Sequence, residues 1–261
     1  MRTFCLILVA LAFALIASPA GAMPTVEELI ERADNFASRS RQYTCQVAIE
    51  DAEGSATGRL RVRGDKFQLE YDRKDENDRV LGKETFIYDG ETLWMLVIPT
   101  GEVVPAVLKM DVKRIEEHAR RTEEDVRLDR PDRGINVFNA LSALRDDYEL
   151  ETLEEIRADH ADLVMVQARL KPIEERQHSW TGAPLLRLLI EKERGIPFHV
   201  ARFDYEGRRI FSMTLGEGNS RIPVRDNHVR YSPPRRAEVR DIAEMLEEIA
   251  REREETLRRV D

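Results

Sequence analysis

Polar and apolar residues alternate along much of the first hundred residues of the chain. The clearest case is GRLRVRGDKFQLEYD, residues 58–72, in which two alternating runs flank a turn at Gly64-Asp65. A period of two turns one side of a strand to the core and the other to water. The stretch therefore predicts an antiparallel hairpin with one apolar and one charged face. Its apolar positions are Leu60, Val62, Phe67, Leu69 and Tyr71.

One strand does not alternate. In YDGETLWMLVIPTGEVVP, residues 88–105, no polar residue occurs from Leu93 to Ile98, although 35% of the chain is charged. Turn residues bracket this run, with Asp89-Gly90 before it and Pro99 after it. Both faces of the strand are therefore expected to be dry. Either ordinary core or a molecule that the protein carries lies against the second face.

Helical spacing predicts four helices around these strands. Thr25 and Glu28 form a capping box ahead of an amphipathic helix that ends near Ala37. Apolar residues at i, i+4, i+7 and i+11, from Leu108 to Ala119, predict a second helix. A third is expected near residues 135–144 and a charged fourth over residues 235–261, whose thin apolar stripe includes Ile242, Met245 and Ile249.

Further short strands separated by turns favour a meandering antiparallel sheet, so the fold class is α+β. These strands are expected at about 43–50, 84–88, 149–156, 163–170, 185–191, 198–205, 208–215 and 228–231. We divide the chain into a signal peptide (1–22), a strand-rich domain with its helices (23–234) and the charged C-terminal helix (235–261).

The N-terminus predicts export. Arg2, an apolar stretch from Phe4 to Ala17 and the sequence Ala20-Gly21-Ala22 are typical of a signal peptide cleaved after Ala22. Cleavage leaves Cys45 as the single cysteine, so the expected product has no internal disulfide. The net charge of −9, without a basic cluster, argues against a nucleic-acid partner. We expect a monomer.

The search for catalytic and metal-binding motifs finds little. The five histidines are scattered, with no metal-ligand spacing, and no G-x-S-x-G elbow occurs. Acidic residues are too numerous, at 50, for any pair to be selected. Cys45 is expected to be a small buried side chain rather than a nucleophile. We therefore expect no enzyme activity, metal or cofactor. A hydrolase is kept as a third alternative, which would need a buried polar cluster.

Several motifs, in their order along the chain, resemble the LolA-type periplasmic carriers of outer-membrane lipoproteins. They are YTCQV after the first helix, GRLRVRGDKFQLEY, the Asp-Gly-x-x-Leu-Trp of YDGETLWMLVIP, and VRYSPPRRAEV near the end. The resemblance implies a curved, incomplete antiparallel β-barrel closed on one side by a lid of short helices. It also implies cargo, an acylated lipoprotein or another lipid, received from an inner-membrane release complex and delivered to an outer-membrane receptor.

The resemblance assigns residues as well. Arg63 would correspond to the arginine that latches the lid through backbone hydrogen bonds, although Gly64 stands where the family has proline. Phe67, Leu69 and Trp94 would correspond to positions that line the lipid cavity. Together with the apolar stripes of the helices and strands, the expected cavity set is Leu29, Ile30, Phe36, Phe67, Leu69, Tyr71, Phe86, Trp94, Leu96 and Leu108.

Two alternatives stay open. The same apolar residues could be ordinary core, because stripes of this kind usually are. The chain could also be a relative without carrier activity that senses a ligand or binds a protein partner. In that case the C-terminal helix would dock a regulator through Ile242, Met245 and Ile249, unless that stripe packs on the chain's own barrel.

Overall fold

The computed structural model of the chain describes residues 23–52, 54–122, 136–158, 161–172, 183–235 and 237–260. Its helices are α1 (Val26–Ser40), α2 (Val112–Thr122), α3 (Ala140–Arg145) and α4 (Ile242–Val260), with a 3-10 turn at Asp226–His228. The first six strands are β1 (Gln42–Asp51), β2 (Gly54–Arg63), β3 (Lys66–Lys74), β4 (Val80–Tyr88), β5 (Thr92–Pro99) and β6 (Ala106–Asp111). The others are β7 (Tyr148–Arg157), β8 (Asp162–Leu170), β9 (Leu185–Glu191), β10 (Pro197–Phe203), β11 (Arg209–Leu215) and β12 (Val239–Asp241). The predicted signal peptide lies outside the described residues.

The described strands form one open sheet of 12 strands, in the order β12-β6-β5-β4-β3-β2-β1-β11-β10-β9-β8-β7. Neighbours are antiparallel except β12, which pairs in parallel with β6. The ends of the sheet do not pair with each other, which confirms the expected α+β fold with an incomplete barrel.

We call the side of the sheet that carries Leu60, Leu69 and Phe86 the inner face. These residues are directly opposite one another across β2, β3 and β4, and the same row continues to Met95 on β5 and Leu108 on β6. A large apolar cluster on this face joins strands β1–β6 and β11 to residues of all the helices except α3. A second cluster joins α1 and α3 to β7–β10. We call the four helices together the helical cover.

Helix α1 forms as its sequence predicts. Thr25 Oγ1 accepts a hydrogen bond from Glu28 N at 3.2 Å, and Glu28 Oε2 accepts one from Thr25 N at 2.9 Å. The β9–β10 turn lies directly against this helix. Gly195 there has a φ of +69°, and a Cβ atom would lie 2.1 Å from Leu29 O, so only glycine fits.

The sequence-based assignment is wrong in two places. Residues 106–111 form strand β6 rather than the start of a helix, so Leu108 lies on a strand and α2 begins at Val112. Residues 228–231 are a turn rather than a strand. The final strand is instead Val239–Asp241, and the C-terminal helix begins after it at Ile242. At residues 106–111 and 239–241, pairing of the two segments with each other overrides the local helical pattern.

Candidate functional site

Four residues expected to line a cavity lie together on the inner face. Phe67 is 0% exposed, and Leu69, Tyr71 and Phe86 are buried as well. Their rings pack against neighbours: the Phe67 centroid is 5.9 Å from that of Tyr88, and the Tyr71 centroid is 6.0 Å from that of Phe86. A side chain next to a void large enough for water would have some accessible surface, and Phe67 has none. This part of the inner face is therefore closely packed in the present form of the molecule.

The three expected residues of α1 face the sheet to different extents. Leu29 is 0% exposed and belongs to the cluster over β7–β10. Ile30 is half-buried at the edge of that cluster. Phe36 is half-buried too, with its ring centroid 6.0 Å from that of Tyr43 and 5.8 Å from that of Phe138. The helix therefore contributes to both apolar clusters.

Of the last three residues expected to line the cavity, only Leu108 lies on the inner face. Trp94 and Leu96 alternate with Met95 and point to the outer face, where they form a separate cluster with Ile87 and Val107. The segment after β11 covers this cluster, with the Tyr231 ring centroid 5.3 Å from that of Trp94. The chain itself thus covers the second face of the apolar run. Met95, Val97 and Ile98 keep part of their surface exposed, so the run is not dry along its whole length. Leu108 lies on the inner face and is half-buried.

Arg63 holds a loop rather than a helix of the cover. Its Nη1 donates to Asp226 Oδ1 at 2.6 Å and to the backbone oxygen of Val224 at 3.5 Å. The ion pair is open to solvent, with 45% of the Arg63 and 66% of the Asp226 side chain exposed. Among the described residues, the backbone group that Arg63 contacts therefore lies in the segment between β11 and β12.

Asn136 links the segment before α3 to the sheet through its side chain, a role that the sequence did not predict. Its side chain is buried, and Nδ2 donates to Gly64 O at 3.1 Å while Oδ1 accepts from Phe138 N at 3.0 Å. The contact ties the segment that leads into α3 to the β2–β3 turn. Phe138 then packs into the ring cluster of Phe36 and Tyr43.

A partly buried polar network also lies on the inner face. Arg73 Nη1 donates to both carboxylate oxygens of Asp51, at 2.9 and 3.0 Å, and its Nε donates to Glu84 Oε1 at 2.6 Å. Tyr71 Oη donates to Glu84 Oε2 at 2.6 Å. Burial, together with the hydrogen bond to the Glu84 carboxylate, raises the pKa of Tyr71 above its ordinary value. Of these four residues, the sequence placed only Tyr71 on the apolar face, and nothing in it paired the others.

The C-terminal helix packs on the chain's own barrel over its first turns. Ala243 is fully buried and Ile242 and Leu246 are half-buried against the inner-face cluster. Asp241 fixes the start of the helix: Lys109 Nζ lies 2.7 Å from Asp241 Oδ2, and Ala243 N donates to Asp241 Oδ1 at 3.0 Å. Met245 and Ile249 remain exposed.

Open space is found at the edge of the sheet. A pocket of about 540 Å³ lies where β5, β6 and β12 meet, and its lining includes Val97, Ala106 and Leu108. Another pocket, of about 490 Å³, lies at the opposite ends of the strands and is lined largely by charged and polar residues, including Asp65, Asp89 and Arg230.

The described residues contain no cluster of His, Cys, Asp and Glu suited to a metal ion. None of the helices in this part of the chain is both long and apolar enough to cross a membrane.

Comparisons with known proteins support the fold. No family model matches the sequence. A search of curated proteins finds no match either. An uncharacterized conserved protein from Thermus thermophilus has a similar structure, with a TM-score of 0.50 and 13% identity over 82% of this chain and 98% of that one.

The matching structures also include proteins of the family that the sequence resembles. A LolA superfamily protein from Nitrosomonas europaea matches with a TM-score of 0.36 and 11% identity, over 80% of this chain and 99% of its own. The Pseudomonas aeruginosa MucA/MucB complex matches with a TM-score of 0.36 and 12% identity, over 79% of this chain and 61% of its own. These two likenesses are weaker than the first, and no conclusion about function rests on them.

Proposed function

We propose that the protein binds acyl chains of a lipid or lipoprotein and carries them between membranes. The observation that supports the proposal is the inner face itself. It is an open sheet, apolar across β1–β6 and β11, and it is covered by helices rather than by a second sheet. Helices attached at a few points can be displaced, and the apolar face beneath them can then shield hydrocarbon.

The energy of such shielding is large. A lipoprotein with three acyl chains exposes roughly 40 to 50 methylene groups, and at about 0.8 kcal/mol each their contact with water costs on the order of 35 kcal/mol. Such a molecule does not cross an aqueous compartment unaided. An apolar protein surface that replaces water around the chains removes most of this cost.

The close packing of Phe67 and Leu29 corresponds, in this proposal, to the closed form without cargo. Binding then requires the helical cover to move away from the sheet. The polar fastenings cost little to break, since a hydrogen bond contributes about 0.5 to 1.5 kcal/mol net. The apolar contacts that the cover gives up would be replaced by contacts of the sheet with the acyl chains. We propose Arg63 as a latch, as the resemblance implies, and add Asn136 because it is the residue that ties the approach to α3 to the sheet.

The proposal extends to compartment and partners. The protein would be exported to the periplasm after cleavage behind Ala22. It would receive cargo from an inner-membrane release complex and deliver it to an outer-membrane receptor. The chain carries no nucleotide-binding motif, so a membrane partner would supply the energy of loading.

Catalysis is not part of the proposed function. The polar network on the inner face is the buried cluster that a hydrolase would need, but its four described members include no Ser, Cys or His. Arg73 engages both carboxylates, and the Tyr71 phenol donates a hydrogen bond to one of them. Such a network supports the sheet rather than a reaction.

Native mass spectrometry tests the proposal. The protein isolated from the cells that make it should carry a lipid or an acylated polypeptide. A delipidated sample should take up an added triacylated lipopeptide at a one-to-one ratio. A protein that is unoccupied when isolated and takes up no lipopeptide would not be a carrier.

A second function, as a partner-binding module, is favoured by one observation. Met245 and Ile249 are 44% and 46% exposed on α4, although this helix packs its other side on the barrel. This alternative predicts a protein adduct in the same mass spectra, with little lipid. Met245→Asp and Ile249→Asp together should abolish that adduct without affecting lipid uptake.

A further inference from the structure

The pocket at the edge of the sheet is lined from the inner face by Val97, Ala106 and Leu108, and Val107 of the outer-face cluster also lines it. Val97 pairs with Ala106 across β5 and β6, and Leu108 pairs with both Met95 and Arg240. Leu108 therefore ends the row that runs through Phe86 and Met95, and Val97 and Ala106 lie next to this row on the same face. In the centre of that row the side chains are closed against one another, whereas at its edge about 540 Å³ is open.

The wall of the pocket is apolar and reaches the surface. Val104 and Pro105, in the loop between β5 and β6, line it, and Val104 is 56% exposed. The exposed residues Val80 and Leu81 are held beside this loop, because Thr100 N donates to Leu81 O at 3.0 Å and Thr100 Oγ1 to Val80 O at 2.8 Å. Exposed apolar residues thus lie both in the wall of the pocket and beside the loop that carries it.

The charged residues of the pocket lie at its margin. They are Glu102, Glu238 and Arg240, and the side chains of the last two form an exposed ion pair at 3.5 Å. Two carboxylates and one guanidinium give this margin a net charge of −1. It therefore disfavours an anionic head group and accepts a zwitterionic or neutral one.

The size and chemistry together suggest a ligand. The volume lies within the range of about 300 to 1,000 Å³ that is usual for small-molecule sites, in which apolar walls and a few polar groups are the rule. An apolar floor with charges at the mouth suits a molecule with one long hydrocarbon chain and a polar head that stays in water.

We propose that this edge pocket is the first binding site for a single acyl chain that carries a zwitterionic or neutral head group. The inference rests on the proposed function and deepens it, since the acyl chain enters at the β5–β6–β12 edge rather than at the closed centre. The pocket ends at β12, which leads directly into α4. A chain that extends further inward would therefore displace α4 from the inner-face cluster.

Binding of a fluorescent lysophosphatidylcholine, measured by titration, tests the site. Ala106→Trp fills the floor of the pocket and should weaken binding at least tenfold. Ala158→Trp is the matched control, because Ala158 is an exposed alanine beyond β7, at the other edge of the sheet, and it should bind like the unchanged protein. Circular dichroism and thermal melting check that both variants are folded.

A second pair of variants does not depend on filling the pocket. Val104→Arg places a charge in the wall and should also weaken binding at least tenfold. Val103→Arg places the same charge on the adjacent residue, which is 90% exposed and is not part of the lining, and should have little effect. Equal effects of the two substitutions would overturn the proposal.

The outcomes separate this proposal from the proposed function. If the unchanged protein binds lysophosphatidylcholine and Ala106→Trp binds it equally well, the site is elsewhere and lipid binding stands. If the unchanged protein binds neither this probe nor a triacylated lipopeptide, lipid binding itself fails. Binding of the lipopeptide alone, sensitive to Ala106→Trp, supports the pocket and identifies an acylated polypeptide as the source of the chain. Tighter binding of a free fatty acid than of lysophosphatidylcholine contradicts the proposed head group.

Discussion

At the scale of single residues, burial on the inner face keeps one thiol and two phenols in their neutral forms. Cys45 is buried beside Leu60 in the row of paired residues that leads to Leu69, and burial raises the pKa of its thiol to about 12. Burial is also the main reason why the pKa of Tyr43 and that of Tyr71 lie above their ordinary values. Each of these groups therefore resists ionisation for as long as the sheet is intact.

The native thiol should react very slowly. At pH 8 an ordinary cysteine, with a pKa near 8.5, is partly ionised, whereas Cys45 is almost entirely protonated, so its exchange with a disulfide reagent should be roughly a thousandfold slower. Labelling with a chromogenic disulfide reagent, followed by absorbance, measures the rate. Protein unfolded in guanidinium serves as the control and should react like a free thiol. Fast labelling of the native protein would show that this part of the inner face opens readily.

The raised pKa of Cys45 also determines in which direction the stability of the protein changes with pH. The unfolded thiol loses its proton above about pH 8.5, while the folded protein retains it until about pH 12. The contribution of Cys45 is therefore fully present below pH 8.5, and it is lost as the pH rises towards 12. Tyr43 and Tyr71 act in the same direction, so the free energy of unfolding should fall on the alkaline side.

On the outer face, Trp94 and Leu96 should differ in what they contribute to stability. Leu96→Ala removes a buried aliphatic side chain and should cost about 2 to 4 kcal/mol. Trp94→Phe should cost less than about 1 kcal/mol, because Trp94 Nε1 is buried without a hydrogen-bond partner among the described residues and its removal offsets lost contacts. Urea denaturation of both variants measures the difference. A loss for Trp94→Phe as large as that for Leu96→Ala would indicate that Trp94 Nε1 donates a hydrogen bond.

At the scale of elements, the sequence predicts correctly those helices and strands whose own pattern of polar and apolar residues shows which side faces solvent. The alternation of β2 and β3 and the capping box of α1 are of this kind, and the structure confirms them. Strand β6 was mistaken for a helix because its identity depends on pairing with β5 and β12. No local spacing encodes such pairing.

In the candidate site too, the sequence predicts what local alternation encodes and misses what depends on distant contacts. Phe67, Leu69 and Tyr71 were placed on one face by their alternation with polar residues, and the structure has them there. Trp94 and Leu96 lie in a run with no polar residue, so nothing in the sequence shows which of its residues face inward. Asn136 acquires its role only when the β2–β3 turn, 72 positions earlier in the chain, folds against it.

The start of α4 depends on an ion pair that can be tested. Burial alone would raise the pKa of Asp241, but the hydrogen bond and charge of Lys109 outweigh it and hold the pKa below its usual range. The stabilisation is therefore present above about pH 4 and is lost as the pH falls through the lowered pKa.

Asp241→Asn should loosen α4 at neutral pH. The amide oxygen can still accept a hydrogen bond from Ala243 N, but the ion pair with Lys109 is lost. Hydrogen exchange of the amides in residues 243–252 should become faster, by about tenfold for a loss of about 1.4 kcal/mol. The control is Arg240→Gln, at the residue before Asp241 in β12. It breaks an exposed ion pair with Glu238 and should leave the exchange rates unchanged. Equal exchange in both variants would mean that apolar packing alone holds the helix.

At the scale of the whole molecule, the structure consists of one sheet and a cover that contacts it through two apolar clusters. Between the clusters the described polar fastenings are few, which allows the cover to move as the proposed function requires. The two candidate latches differ in kind. The Asn136 contact is buried and joins the segment before α3 to the sheet, whereas the Arg63 contact is half-exposed and joins a loop to the sheet.

Asn136→Ala should therefore open the molecule more than Arg63→Leu. The first substitution leaves Gly64 O and Phe138 N without their buried partner and should cost about 1 to 3 kcal/mol of stability. The second removes a solvent-exposed ion pair, which is worth about 0 to 1 kcal/mol. Binding of a dye that fluoresces on apolar surfaces measures opening, and uptake and release of a triacylated lipopeptide measure its consequence. If Arg63→Leu opens the cover and hinders release while Asn136→Ala does neither, the arginine is the latch. Unchanged uptake and release in Arg63→Leu would remove that role from it.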